Sequence, residues 1–313
     1  MGTFLYSAGL AVLALQAPPP APRPAADSAR AALWARISAD STDARAWLEI
    51  GRAYVQDVGS YHAHRAAAPG DTGWARATLD TAELAFARAS GYGRGTRAAD
   101  SAQVFRVYLW GHKALLAWEA GGTDAAIMAW HALPETLRLP PVLEELGENL
   151  LRACPRRGIL LTAGDADTYA AWYMRFARGL RPDLLVLPLA AWTGDTVLRG
   201  RVLREARQRG SSLQALADRR KGPLCASTGF DRAPELRPRV SWKTHPLVWV
   251  AGTEAKGDRV PAEDFVFAAL KLAIDQHETW SPPAVAIYRR AADVTSALCR
   301  PLETFGIKAE VGC

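Results

Sequence analysis

The sequence lacks the short motifs that usually betray an enzyme. It has no Gly-rich phosphate loop, no Walker-type lysine, no G-x-S-x-G nucleophile elbow and no histidine placed to serve a nucleophile. None of its four cysteines, Cys154, Cys225, Cys299 and Cys313, stands in a C-x-x-C, which argues against a zinc site. Isolated cysteines leave two readings open: two disulfides in one of three connectivities, or buried free thiols. Past residue 16 no apolar run is long enough to span a bilayer. The net charge of +6 is spread along the chain, apart from Arg219-Arg220-Lys221, and no nucleic-acid-binding motif accompanies it. No nucleic acid is therefore expected as a partner; the basic balance suits an acidic partner or an anionic membrane surface.

What is present starts at the N-terminus. Thr3 to Gln16 is almost continuously apolar, ends in a small-x-small pattern and leads into Ala-Pro-Pro-Pro-Ala-Pro-Arg-Pro. Residues 1–26 read as a signal peptide or N-terminal anchor plus a Pro-rich linker, although Met1 to Tyr6 carries no Lys or Arg. Export to the periplasm or cell envelope follows from either reading. A retained leader would make residues 1–16 the membrane contact.

Residues 27–155 show apolar positions at three- and four-residue spacing, a helical pattern. Trp47, Ile50, Gly51 and Tyr54 reproduce the W-x2-L-G-x2-Y spacing of a tetratricopeptide repeat, and Ala82, Phe86 and Ala89 the spacing of its second helix. Small residues let paired helices approach while Trp47, Tyr54 and Phe86 fill the space between them. A long insertion, roughly Asp57 to Trp74, separates the two and contains His62-x-His64, a pair of imidazoles on one side of an extended segment or an ordinary polar loop. Gly111, Gly121-Gly122, Ala126 and Trp130 form a weaker second repeat, and Leu143, Leu146, Gly147 and Leu150 a third first-helix pattern. Such a stack binds proteins along its surface or serves only as a packing partner. Trp74 and Trp192, near expected turns, are candidate anchors for a partner.

From residue 156 to 313 short apolar runs alternate with amphipathic helices. Strands are expected at Ile159–Thr162, Leu184–Leu187, Leu247–Val250 and Ala284–Tyr288, with Ile307–Val311 at an edge. Helices are expected at Asp167–Arg178, Val197–Gln208, Ala262–His277 and Ala291–Leu302. Lys221–Thr244, rich in Pro and Gly, reads as a surface excursion or lid. The fold class expected is α/β: an N-terminal tetratricopeptide-like α-helical stack followed by a Rossmann-like, mainly parallel α/β domain.

One stretch carries more than a pattern. Asn149-Leu150-Leu151, Gly158-Ile159-Leu160-Leu161-Thr162, Gly164-Asp165-x-Asp167-Thr168-Tyr169, Trp172-Tyr173 and Arg181-Pro182-Asp183 succeed one another. The series resembles the soluble region, tetratricopeptide-like helices plus a G-D-N-D-T-type α/β segment, of bacterial membrane proteins related to protein O-mannosyltransferases. Ala166 stands where that family usually has Asn, and Ala170-Ala171 where it has Pro-Leu. The resemblance implies glycosyltransferase activity only for a membrane-embedded part, which has no counterpart in this sequence.

Asp165 and Asp167 leave the first strand of the α/β half, where ligands of open α/β sheets collect. They are the candidate catalytic residues and the candidate ligands for Mg²⁺ or another divalent ion, with Gly164 and Thr168 beside a bound phosphate at the helix N-terminus. The plainer reading makes Gly164 the turn and one aspartate the helix cap, worth about 1 kcal/mol. No cofactor is expected on that reading. Function is then expected to be that of an exported, non-catalytic accessory subunit, docking through its helical repeats onto protein partners in a membrane-associated complex. The alternative is an envelope enzyme or binding module acting on a sugar, nucleotide-sugar or phosphate ligand through the Asp165/Asp167 turn.

Overall fold

The computed structural model describes residues 24–64, 72–252 and 260–313, with the side chains of 24–27 and 61–64 left out. The leader and most of the Pro-rich linker lie outside the described residues. Six helices come first: α1 (Pro24–Ala39), α2 (Ala44–His64), α3 (Thr72–Tyr92), α4 (Arg97–Gly121), α5 (Thr123–His131) and α6 (Pro141–Ala153). Neighbours in sequence from α1 to α5 pack on one another. The size matching expected of the first pair is present: a Cβ on Gly51 would sit 2.6 Å from the Phe86 ring, and Trp47, Ala82 and Phe86 are buried. The insertion between them is smaller than expected, because α2 runs on to His64. His62 and His64 thus fall on a helical turn rather than an extended segment, and their side chains lie outside the described residues.

The second half is a mixed sheet wrapped by helices. Its elements are β1 (Ile159–Thr162), α7 (Asp165–Trp172) running into a π-turn at Tyr173–Ala177, β2 (Leu185–Pro188), α8 (Leu189–Gly194), α9 (Thr196–Glu205), α10 (Leu213–Arg220), β3 (Leu224–Ser227), β4 (Lys243–His245), β5 (Val248–Ala251), α11 (Ala268–Asp275), α12 (Ser281–Val294), α13 (Cys299–Thr304) and α14 (Lys308–Val311). Strand order is β2-β1-β3-β5-β4. β1 pairs in parallel with β2 and β3, whereas β5 runs antiparallel to both β3 and β4. The sheet is therefore mixed, not mainly parallel.

Four further expectations are corrected. Ala284–Tyr288 is helix, because Pro282 and Pro283 start α12 and its buried positions Ser281, Ala284, Ile287, Tyr288 and Ala291 repeat every three or four residues. Ile307–Val311 closes as one helical turn rather than an edge strand. The stretch Lys221–Thr244 is not only an excursion: it holds β3, which pairs with both β1 and β5. The expected helix at Ala262–His277 is broken, since Asn149 Nδ2 donates to the Val266 carbonyl at 2.6 Å and to Tyr288 Oη at 3.1 Å.

Two apolar cores share α4. Ala102, Leu109 and Leu116 face α1–α3, while Val104, Val107, Tyr108, Leu115 and Trp118 join the core around the sheet. A helix apolar on both sides is buried by design, so α4 couples the two halves. Packing does not divide at residue 155: α5 and α6 share the sheet's core. All four cysteines are bridged, Cys154 to Cys225 and Cys299 to Cys313, which replaces the free-thiol reading. Among the described residues no helix is long and apolar enough to cross a membrane.

Candidate functional site

β1 is flanked by both of its parallel partners, so the chain leaves it in one direction to reach β2 and returns past it to reach β3. In open α/β sheets the carboxyl ends of strands beside such a reversal form a crevice. Here the turn after Thr162 lies at that end. Thr168 Oγ1 donates to Thr162 Oγ1 at 2.7 Å and ties the helix to the strand. Gly164 is extended, at φ −135°, and an added Cβ would meet nothing closer than 4.0 Å. The turn therefore does not require glycine there, contrary to expectation.

The two aspartates part company. Asp167 is 1% exposed and accepts from Ala163 N at 2.8 Å, from Gly164 N at 2.8 Å and from the Ser227 hydroxyl. It reaches back from the third helical position to the residue before the helix, half of a capping box. Through Ser227, whose Oγ accepts from Gly229 N at 2.9 Å, it also binds the end of β3. A Cβ on Gly229 would collide with the Asp167 carboxylate, which fixes glycine at that position. Burial pushes the Asp167 carboxyl above its ordinary range, against the pull of its three donors.

Asp165 accepts no hydrogen bond from the described residues. It lies at the mouth of a cleft of about 500 Å³ between the sheet end and the helices α2 and α4. Arg52 and Gln56 come from α2, Tyr108 and His112 from α4, and Tyr169 from α7. A smaller annex of about 160 Å³ continues past Gly164, Thr168 and Pro188. Partial desolvation raises the Asp165 pKa, the Asp167 charge raises it further, and Arg52 opposes both. Tyr108 and Tyr169 stack with ring centroids 4.1 Å apart, and the Tyr169 hydroxyl is hydrogen-bonded to His112 Nε2. Tyr108 is 1% exposed and its hydroxyl has no hydrogen-bond partner. Burial, with Asp165 and Asp167 nearby, raises the pKa of the Tyr108 phenol, and burial with Asp165 and Tyr108 nearby raises that of Tyr169.

Of the residues expected at a site, Asp165, Gly164 and Thr168 line the cleft system, while Asp167 faces inward. With its oxygens held by three donors, Asp167 does not present a second carboxylate beside Asp165 to a divalent ion. Among the described residues no three His, Cys, Asp or Glu side chains converge on one point. Trp192 is buried and cannot anchor a partner, whereas Trp74 is 46% exposed. Sequence reasoning did not single out Arg52, Gln56, Tyr108 or His112. The available signal was Gly111: a Cβ there would stand 2.7 Å from the Tyr169 ring, so the glycine marks where α4 meets the site.

Comparison with curated proteins and with solved structures found no match. Residues 143–196, which run from α6 through β1, α7, β2 and α8 and so supply the sheet side of the cleft, match TMEM260-associated domain 2, a family linked to TMEM260, a protein O-mannosyltransferase-like protein.

Proposed function

We propose that the protein is an exported binding module of the cell envelope that holds a sugar or nucleotide-sugar ligand in the Asp165 cleft. The observation that carries this reading is the contrast within one turn. Asp167 is saturated with donors, and Asp165, two residues on the other side of Ala166, accepts none and opens onto the cleft. Asp165 is exposed in the cleft with its oxygens unclaimed by the described residues, so they are open to accept hydrogen bonds from a ligand. The family linked to the matched segment supplies the sugar. The two disulfides fit an oxidising compartment. On this reading the parallel β1–β3 part is a Rossmann-like remnant, binding needs no metal, and the module works without chemistry of its own.

A second reading, docking onto a membrane-associated complex, is favoured by apolar side chains on the helical half. Trp34, Trp74, Leu84, Tyr92 and Met128 on α1, α3 and α5 are 38–73% exposed. That reading treats α1–α5 as a tetratricopeptide-like stack whose surface meets protein partners. The two readings are compatible, one in the cleft and one on the outer helices. Thermal-shift measurements with a panel of sugars and nucleotide sugars test the first. A ligand-induced rise in melting temperature that disappears in Asp165→Ala is expected; no rise with any member of the panel counts against it. Gentle membrane solubilisation followed by size separation tests the second: co-migration with a large complex is expected, and a free monomer refutes it.

A further inference from the structure

At the end of the sheet opposite the Asp165 cleft the chain is basic, whatever that cleft holds. The parallel strands β1, β2 and β3 all begin there, so the segments that lead into them meet. Arg157 precedes β1, Arg175, Arg178 and Arg181 precede β2, and Arg219-Arg220-Lys221 precedes β3. The carboxylates of these segments are fewer and occupied. Asp183 accepts from Arg181 Nε at 2.9 Å, from Arg181 Nη2 at 3.0 Å and from the Arg157 N–H at 2.8 Å, and Asp218 accepts from Gln214 Nε2 at 2.9 Å.

Arg175 and Arg220 are left without a counter-charge. Arg175 donates to the carbonyls of Leu184 at 3.1 Å and Pro182 at 2.7 Å, and Arg220 to that of Asp183 between them at 3.1 Å. The two guanidiniums thus hold three consecutive carbonyls of one turn. Neither forms an ion pair among the described residues, and most of their N–H donors remain unused. Both side chains are partly buried, and the Arg220 Nε–H is buried with no hydrogen-bond partner. Burial lowers the pKa of both, Asp183 opposes it, and Arg220 lowers that of Arg175 further. Around them Arg157, Arg178, Arg219 and Lys221 are exposed and add to the positive field. A carboxylate is filled by one guanidinium fork, whereas a tetrahedral anion has oxygens enough to accept from two. We propose that a phosphate group, free or as the head of an anionic lipid, binds between Arg175 and Arg220 at the amino end of the sheet.

Thermal-shift titration of the full chain with sodium phosphate, against sodium chloride at equal ionic strength, tests the site. Phosphate should raise the melting temperature beyond chloride. Phosphate also stabilises folded proteins by exclusion from their surfaces, so the variants decide. Arg175→Lys and Arg220→Lys keep the charge and lose the fork, and each should weaken phosphate binding roughly tenfold. The melting temperature of each variant without phosphate reports lost packing separately. Arg219→Gln, which has no hydrogen-bond partner to lose among the described residues, should weaken binding roughly twofold at low salt and not at high salt. Sedimentation with phosphatidylcholine vesicles, with and without phosphatidylglycerol, separates the sources. Binding to the anionic vesicles that inorganic phosphate competes away and Arg220→Lys weakens identifies a lipid headgroup. Phosphate binding without vesicle binding identifies a soluble phosphate compound. Phosphate no better than chloride, or phosphate and vesicle effects that both lysine variants leave unchanged, would overturn the site.

Discussion

Asp165 and Asp167 differ by two positions, and although burial raises both carboxyls, only Asp167 holds hydrogen bonds that its removal would break. Removing Asp167 takes the acceptor from the Ala163 and Gly164 N–H groups, in a turn open to water, and from the buried Ser227 hydroxyl, whose loss costs about 1–3 kcal/mol if nothing replaces it. Asp167→Ala should therefore lower stability by roughly 1–3 kcal/mol in denaturant titration. Asp165→Asn should do the reverse. A carboxyl whose pKa is raised by folding binds its proton more tightly in the native state, so its ionised form works against the fold at neutral pH. The variant should melt slightly higher than the parent at pH 7, with the gap closing as pH falls toward the ordinary carboxylate range. Asp183 is the opposite case. Partial burial resists its ionisation, but Arg181, bound at 2.9 Å, and the Arg157 N–H at 2.8 Å outweigh that and hold it down to about 2. Arg157 and Arg181 both adopt positive φ, at 59° and 49°, so Asp183 pins two turns that the backbone does not favour. Its stabilisation is present in full above its unfolded value near 4 and is lost as pH falls toward 2. Asp183→Asn should cost about 1 kcal/mol at neutral pH, allowing for solvent screening, and nothing near pH 2. A cost independent of pH would show that packing, not charge, explains it.

At the scale of elements, α6 and α7 meet through Gly147. A Cβ there would land on the Ala170 carbonyl, a backbone group that no side-chain rotation can move aside. Gly147→Ala should destabilise by roughly 1–3 kcal/mol and shift α7 with the cleft residues it carries. Unchanged stability would mean the helices have room to part. The same close approach explains what was legible in the sequence. Gly147, Gly51 and the small residues near them announce helix contacts because volume is conserved across an interface, and β1, β2 and β5 announce themselves as apolar runs. β3 stayed hidden: Leu224–Ser227 is four residues long, follows Gly222-Pro223, and gains its strand character from β1 and β5 on either side. β4 is hidden for a related reason, since Lys243 and Thr244 are exposed and only pairing with β5 makes them strand. The antiparallel return is set by the corner Pro246-Leu247, where Leu247 sits at φ 65° while fully buried. In the cleft, Asp165 was legible from its place after a strand. Arg52, Tyr108 and His112 were not, because they reach it from α2 and α4, more than fifty residues away.

For the molecule as a whole, the question is what keeps the helical half registered on the sheet, since the cleft exists only between them. α4 contributes one face to each core, and the Cys154–Cys225 bridge fastens the end of α6 to β3 in the middle of the sheet. That bridge closes a loop with a sequence separation of 71 residues, against 14 for Cys299–Cys313. In the chain-entropy description the first removes about 4 kcal/mol of freedom from the unfolded chain and the second about 3. Access differs more sharply than entropy: Cys154 and Cys225 are 0% exposed, whereas Cys313 lies exposed at the end of the chain. A thiolate reductant must reach a sulfur to attack it. Mild reduction followed by alkylation and mass spectrometry should therefore label Cys299 and Cys313 first. Cys154 and Cys225 should be labelled only when the protein is unfolded. The double variant Cys154→Ser/Cys225→Ser should lose stability by about 2–4 kcal/mol, and ligand binding in the cleft should fall with it as the two halves loosen. Ready labelling of Cys154 in the folded protein would show that the sheet opens without unfolding, and the cleft would then be a mobile gap instead of a preformed site.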